Sequence, residues 1–185
     1  MIFFSRTYFV ALGFICLAIG AMSLPAYAET TYPVVNWDKL MPKDWDPTKA
    51  FKDIDYSKMK DNDPRAQAAL DDLKKAWSNA PINAELNGKN LKISGYVVPV
   101  EFKGKDVTLF LLVPFYGACI HTPPPPSNQI IYVTSATPIK NLNVMDTVWV
   151  SGQMTVEKSS TQVATGTGLS SYKIKAIEVK KNAAP

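Results

Sequence analysis

The chain has 185 residues, is 46% apolar and 19% charged, and carries a formal charge of +4 from 20 Lys+Arg against 16 Asp+Glu. It is too apolar to be disordered throughout, too short for several large domains, and too weakly basic for charge alone to argue for nucleic acid. Its 14 prolines and 9 glycines point to turns and extended structure, and Cys16 and Cys119 cannot build a disulfide-dense scaffold.

Residues 1–28 read as a secretory signal peptide. Arg6 and the amino terminus supply positive charge, and Tyr8–Met22 is an uncharged, mostly apolar run. That run is short for a membrane span, which takes about 20 residues. Ala26-Tyr27-Ala28 is a cleavage signal of the A-x-A kind, which puts the new N-terminus at Glu29 and the protein in the periplasm, with no integral membrane segment after cleavage. The alternative, an uncleaved anchor helix, is opposed by Pro25 and by that site. Cys16 follows Gly13-Phe14-Ile15, which is not a lipoprotein cleavage box. Cleavage removes one basic side chain, leaving 19 against 16, or +3, with Cys119 and His121 as the remaining cysteine and histidine. An exported chain with one thiol has no internal disulfide and needs an ordinary apolar core.

Residues 29–62 form an extended arm rich in Pro, Asp, Lys and aromatics, in which Trp37 and Trp45 require burial, either across their own domain or on a partner. Residues 63–80 contain a helix over 64–78 that packs on the domain that follows. Asp63 is a suitable N-cap and Pro64 suits the first helical position. Ala66, Leu70, Leu73 and Trp77 fall on one face, and Asp71 and Lys75 are spaced for a surface pair.

Residues 81–180 read as strands: Leu91–Val100, Val107–Val113, Ile130–Thr134, Thr147–Val156 and Tyr172–Val179. Val107–Val113 is apolar on both faces, as a central strand is. Gly95 and Gly152 lie inside strands, where glycine permits a sharp bend. Five short strands with two such bends predict a mainly β fold, an OB-fold-like small barrel preceded by one helix, with a compact β-sandwich as the alternative. Residues 158–171, rich in Ser, Thr and Gly, are expected as a mobile loop, and 181–185 as a frayed tail.

The chemistry concentrates in Phe110–Gln129, FLLVPFYGACIHTPPPPSNQ. Cys119 and His121 are two apart, so an extended backbone puts both side chains on one face. Pro123, Pro124, Pro125 and Pro126 stiffen the segment towards polyproline II, and a stiff loop loses little entropy on binding. Tyr116, Gly117, Asn128 and Gln129 complete the expected binding surface.

This segment closely resembles the hallmark FLLVPYFGACIH-x-PPPP-x-NQ of a bacterial exported family, domain of unknown function 3299. The resemblance extends to Trp37–Pro42, to Leu86–Lys89 leading into Gly95–Pro99, and to Val148–Gly152. Departures are the Phe115-Tyr116 order, reversed here, and Thr122 and Ser127 at commonly apolar positions. The resemblance implies a periplasmic protein accompanying an ABC-type export or zinc-responsive system, and supplies no reaction.

Three readings of Cys119 and His121 stay open. As metal ligands, thiolate and imidazole suit zinc or copper, with further donors drawn from Asn128, Glu101, Met145, Met154 or a partner. As a catalytic pair, His121 would activate the Cys119 thiol in a thiol-dependent enzyme, although no third group to orient the imidazole is evident. As structural residues, Cys119 is a small buried apolar group and the proline run becomes a protein-docking surface. The favoured expectation is a non-enzymatic periplasmic binding module, an accessory of an envelope transport or metal-handling system that uses the Cys119–Asn128 loop, without nucleic acid.

Overall fold

A computed structural model describes residues 31–49, 64–118, 124–163 and 166–182. The signal sequence, the Asp63 cap, Cys119, His121, Thr122, Pro123 and residues 183–185 lie outside the described residues.

Five strands follow the helix α1 (Pro64–Ser78): β1 (Asn90–Lys103), β2 (Asp106–Val113), β3 (Ile131–Ile139), β4 (Thr147–Val163) and β5 (Gly166–Lys181). They close into a ring in the order β1-β2-β3-β5-β4, with β3 and β5 parallel and the other pairs antiparallel. Among the described residues the fold is therefore mainly β with one α-helix, a small OB-like barrel. The physical cause of closure lies in the long strands. β1 pairs with β4 through Asn90–Tyr96 and with β2 through Tyr96–Lys103, so one strand serves two neighbours by bending between them.

Glycine makes that bend possible. A Cβ at Gly95 would lie 2.7 Å from the Val113 carbonyl oxygen and 3.0 Å from the Trp37 ring. A Cβ at Gly152 would collide with the Lys175 carbonyl oxygen and stand 2.7 Å from Ile174 Cγ2, at the place where the β4–β5 register shifts. At both sites backbone approaches backbone too closely for any side chain.

The core has two parts. Inside the ring, Ile93, Val97, Phe110, Leu112, Ile131, Val150, Met154, Tyr172 and Ile174 are buried together. A second, smaller cluster of Val98, Leu111, Val113, Ala118 and Ile130 lies apart from it. Successive β2 residues alternate between the two clusters, which is why that strand is apolar on both faces. The chain on either side of the proline run, through Ala118 and Ile130, covers the second cluster.

The 158–171 segment is a correction to the expected mobile loop. Ser159–Val163 pairs with Gly166–Ser170, prolonging β4 and β5 into a hairpin beyond the ring. Gly168 and Leu169 are not solvated turn residues: Gly168 is buried with Leu111 close by, and Leu169 is half-buried. Serine and threonine satisfy a strand as well as a loop when a neighbouring strand takes their backbone bonds.

The described part of the arm, residues 31–49, lies across its own domain. Pro33–Val35 bonds to Lys92 in a parallel bridge on β1, along the stretch that β2 does not reach. Trp37 Nε1 donates to the Ser94 carbonyl at 2.7 Å, and Leu40, in a short 3-10 turn, is fully buried in the ring's core. Tyr172 ties these pieces together from the centre. Its hydroxyl donates to the Leu40 carbonyl at 2.6 Å and accepts from the Asn83 N–H at 2.7 Å. Burial raises its phenol pKa, partly opposed by the Asn83 N–H.

On α1 the expected face is the covered one: Leu73 is buried, and Ala66, Leu70 and Trp77 are half-buried. Trp77 Nε1 donates to the Pro47 carbonyl at 3.0 Å, joining helix to arm. Asp71 pairs with Lys74 at 3.6 Å rather than with Lys75, and accepts from Gln67 at 3.1 Å. Both spacings bring side chains together on a helix, and neither exposed pair matters much to stability. Among the described residues no helix is long and apolar enough to cross a membrane.

Candidate binding site

β2 ends at Val113, and Pro114 turns the chain outward because it has no N–H to continue the ladder. Phe115–Ala118 then forms a tight turn closed by Ala118 N–H to the Phe115 carbonyl at 3.3 Å. Gly117 has φ of 80°, a conformation that favours glycine. Its N–H points at Met145 Sδ, 3.4 Å away. Ala118 enters the second apolar cluster. Phe115 and Tyr116 are left outside, 56% and 68% exposed, with the Tyr116 ring edge-on to Tyr96 at 6.0 Å.

Met145 is itself held firmly. It has φ of 61°, rare for a non-glycine residue. Its N–H donates to the Val97 carbonyl at 2.7 Å, and the Val97 N–H donates to the Asp146 carbonyl at 3.0 Å. The Asp146 carboxylate accepts the Asn143 N–H at 2.6 Å and pairs with Lys181 at 2.6 Å. Burial acts to raise the Asp146 pKa, but the Lys181 and Asn143 hydrogen bonds and the Lys181 charge outweigh it, so it sits below its ordinary value. A backbone conformation of this kind persists only when surrounding bonds over-determine it. Here they aim a thioether at the turn that precedes Cys119.

The far side of the segment is anchored differently. Pro124 is exposed, whereas Pro125 and Pro126 are buried. Ser127–Gln129 forms a 3-10 turn, closed by Gln129 N–H to the Pro126 carbonyl at 2.7 Å. Ser127 Oγ donates to the Ser78 carbonyl at 3.3 Å and accepts from Ser171 Oγ at 2.9 Å. Asn128 is fully buried and donates to the Pro81 carbonyl at 2.8 Å. Gln129 donates to the Trp37 carbonyl at 3.3 Å.

The expected binding surface is thus divided. Tyr116 and Pro124 face solvent. Gly117, Pro125, Pro126, Asn128 and Gln129 are buried, and the two amides tie the arm and the α1–β1 connection to the barrel instead of facing solvent. Polar side chains in a proline-rich loop resemble surface residues in sequence, but backbone carbonyls of the arm need donors once buried. Phe115, absent from the expected surface, is exposed. The adjacent Phe115-Tyr116 pair precedes a glycine turn and cannot place both rings in one small cluster, which was the available signal.

Of the further metal donors considered, Met154 is in the ring core, and Asn128 is fully buried, its amide nitrogen donating to Pro81 while its Oδ1 has no partner among the described residues. Glu101 is exposed at the β1–β2 bulge. Met145 touches the turn that precedes Cys119, through the Gly117 N–H. Among the described residues no three His, Cys, Asp or Glu side chains group as metal ligands.

The family described as protein of unknown function DUF3299 matches residues 37–181. A crystal structure of a DUF3299 family protein from Pseudomonas aeruginosa PAO1 is similar, at 30% identity and a TM-score of 0.63, with 84% of this chain and 99% of that chain covered. No curated protein matches. The matched residues begin at Trp37, which bonds β1, and end at Lys181, which pairs with Asp146, so the arm from Trp37 onward, the barrel and both anchors of the turn lie within the match, and the chain belongs to the DUF3299 family.

Proposed function

We propose that the protein is a non-enzymatic binding module of the periplasm, released by cleavage after Ala28, whose contact element is the Phe115–Pro124 segment. In this reading Cys119 and His121 take a transition metal, zinc or copper, and the exposed aromatics meet an envelope partner, such as a component of an ABC-type export system. The observation that carries it is the exposure of Phe115 and Tyr116 on a turn anchored at Met145, while the other end of the segment is anchored at Pro125–Gln129. A short segment between two fixed ends gives up little conformational entropy when it binds.

The donor chemistry fits a soft metal. Thiolate, imidazole and the Met145 thioether together suit copper(I), whereas zinc would draw further nitrogen, sulfur or oxygen donors from a partner. Bound metal would be held and handed on; the chain's own residues present it.

The test is metal analysis of protein purified under reducing conditions, for the wild type, Cys119→Ser and Met145→Leu. We expect bound copper or zinc in the wild type and loss of it in Cys119→Ser. Metal content unchanged by Cys119→Ser would overturn the metal reading. A Cys119 thiolate pKa far below the free value of about 8.5, measured by reagent titration, would favour the thiol-dependent enzyme. Mass spectrometry of periplasmic extract tests the export step, and a full-length membrane-bound product would refute it.

A further inference from the structure

We infer that the cleft between the C-terminal turn of α1, Pro124–Ile130 and the β4–β5 hairpin binds a small amphiphilic carboxylate, with its acid among the hairpin serines and its apolar part under Trp77. The cleft consists of two adjoining cavities of about 180 and 170 Å³ that share Ser78, Ser127 and Leu169.

The surface of the first cavity is mostly apolar, but five serines and a lysine are among its lining residues. Ser159 and Ser170 face each other across the β4–β5 pairing and both line it. Their hydroxyl oxygens are buried and have no hydrogen-bond partner among the described residues, and Ser170 is only 2% exposed. Two buried hydroxyls left without partners are costly, and an oxygen-bearing group in the cavity would accept from both once they rotate toward it. Lys158 lines the same cavity and no carboxylate does, so the group that fits is an anion. The second cavity is also mainly apolar and offers larger side chains, Trp77, Pro125, Ile130 and Leu169, with Lys74 and Thr167 among its other lining residues. It suits a short hydrocarbon chain or a ring. Water would satisfy the serines but not use the apolar half.

The inference does not depend on Cys119 or His121. Hexanoate is the probe, titrated calorimetrically into the whole protein, with acetate and hexan-1-ol as the acid without the tail and the tail without the acid. We expect hexanoate to bind, and each fragment to bind about tenfold or more weakly. Ser170→Ala and Lys158→Gln should each weaken hexanoate about tenfold, the loss expected for a charge-assisted hydrogen bond. Ser170→Ala should leave the melting temperature of the free protein unchanged or higher, because it removes an unpartnered hydroxyl. Ser159→Ala serves as the second variant should either of these fold poorly. Cys119→Ser should bind hexanoate like the wild type, so loss of the metal reading leaves this one standing. No heat at about 10 mM hexanoate, equal binding of hexan-1-ol, or affinity unchanged in Ser170→Ala and Ser159→Ala would each overturn it.

Discussion

Replacing Tyr172 with Phe removes one oxygen atom from the centre of the molecule and keeps the ring that fills the core. The hydroxyl serves two partners, the Leu40 carbonyl at 2.6 Å and the Asn83 N–H at 2.7 Å. Leu40 is fully buried, so its carbonyl finds no water in exchange, while Asn83 is more open. A buried acceptor left unpaired costs about 1–3 kcal/mol and a half-buried donor about 1 kcal/mol, so Tyr172→Phe should lose about 2–4 kcal/mol. For a domain of this size that lowers the melting temperature by about 5–15 °C. The assay is guanidinium unfolding followed by both tryptophan fluorescence and far-UV circular dichroism. Because the hydroxyl joins the arm to the barrel, the midpoint should fall with an unchanged slope and the two probes should coincide. A loss below about 0.5 kcal/mol would mean that the two bonds contribute little beyond what water offers. Separated transitions would mean that the arm is an independent unit, and would refute the reasoning. The alkaline limb adds a second check. The folded-state pKa of Tyr172 is raised, so its contribution is fully present below the unfolded value of about 10 and is lost as pH rises through the folded value. The gap between wild type and Tyr172→Phe should therefore narrow above pH about 10.

Three other outcomes follow from the same geometry. Gly152→Ala should lose stability at or above the upper end of the about 1–3 kcal/mol typical of overpacking, because its Cβ meets backbone, not a movable side chain; a melt indistinguishable from wild type would contradict the close approach. Pro124→Ala should cost about 1 kcal/mol or less and Pro125→Ala about 2–3 kcal/mol, since only the second empties a buried site; equal losses in denaturant titrations would show that the run is uniformly exposed. Asp146→Asn should destabilise at neutral pH and differ less from wild type in acid. The folded pKa of Asp146 is depressed, so its contribution is present above about pH 4 and lost as pH falls through the folded value; a constant difference across that range would refute the Lys181 pairing.

The barrel and its anchors bear on one another. The long β4–β5 hairpin reaches past the ring, and Val163 near its tip packs on the second apolar cluster, the one that Ala118 and Ile130 help to form. Lys181 at the other end of β5 holds Asp146, and through that turn Met145 meets Gly117. The β4–β5 pair thus supports both sides of the segment that carries Cys119 and His121. Perturbing β5 should disturb the contact element at a distance, through packed backbone and not through a chain of polar groups.

Strand identity was legible in the sequence where the apolar pattern was unambiguous. Val107–Val113 reads as apolar on both faces, and from Phe110 onward each β2 residue meets one of two clusters. The α1 face and the bends at Gly95 and Gly152 were legible for the same reason: local spacing and the absence of a Cβ act before any tertiary contact forms. The 158–171 segment was not legible as strand, since Ser159–Val163 and Gly166–Ser170 are mostly polar or glycine and no apolar alternation records their pairing. Nor could sequence decide which prolines and amides face water. Pro124 and Pro125 are chemically identical neighbours, and burial of one follows from where α1 lies. Asn128 and Gln129 turned inward because the α1–β1 connection at Pro81 and the arm at Trp37, 92 residues before Gln129, presented carbonyls there to be satisfied. Composition and local pattern determined the elements; long-range hydrogen-bond demand decided which polar residues of the segment were left for a partner.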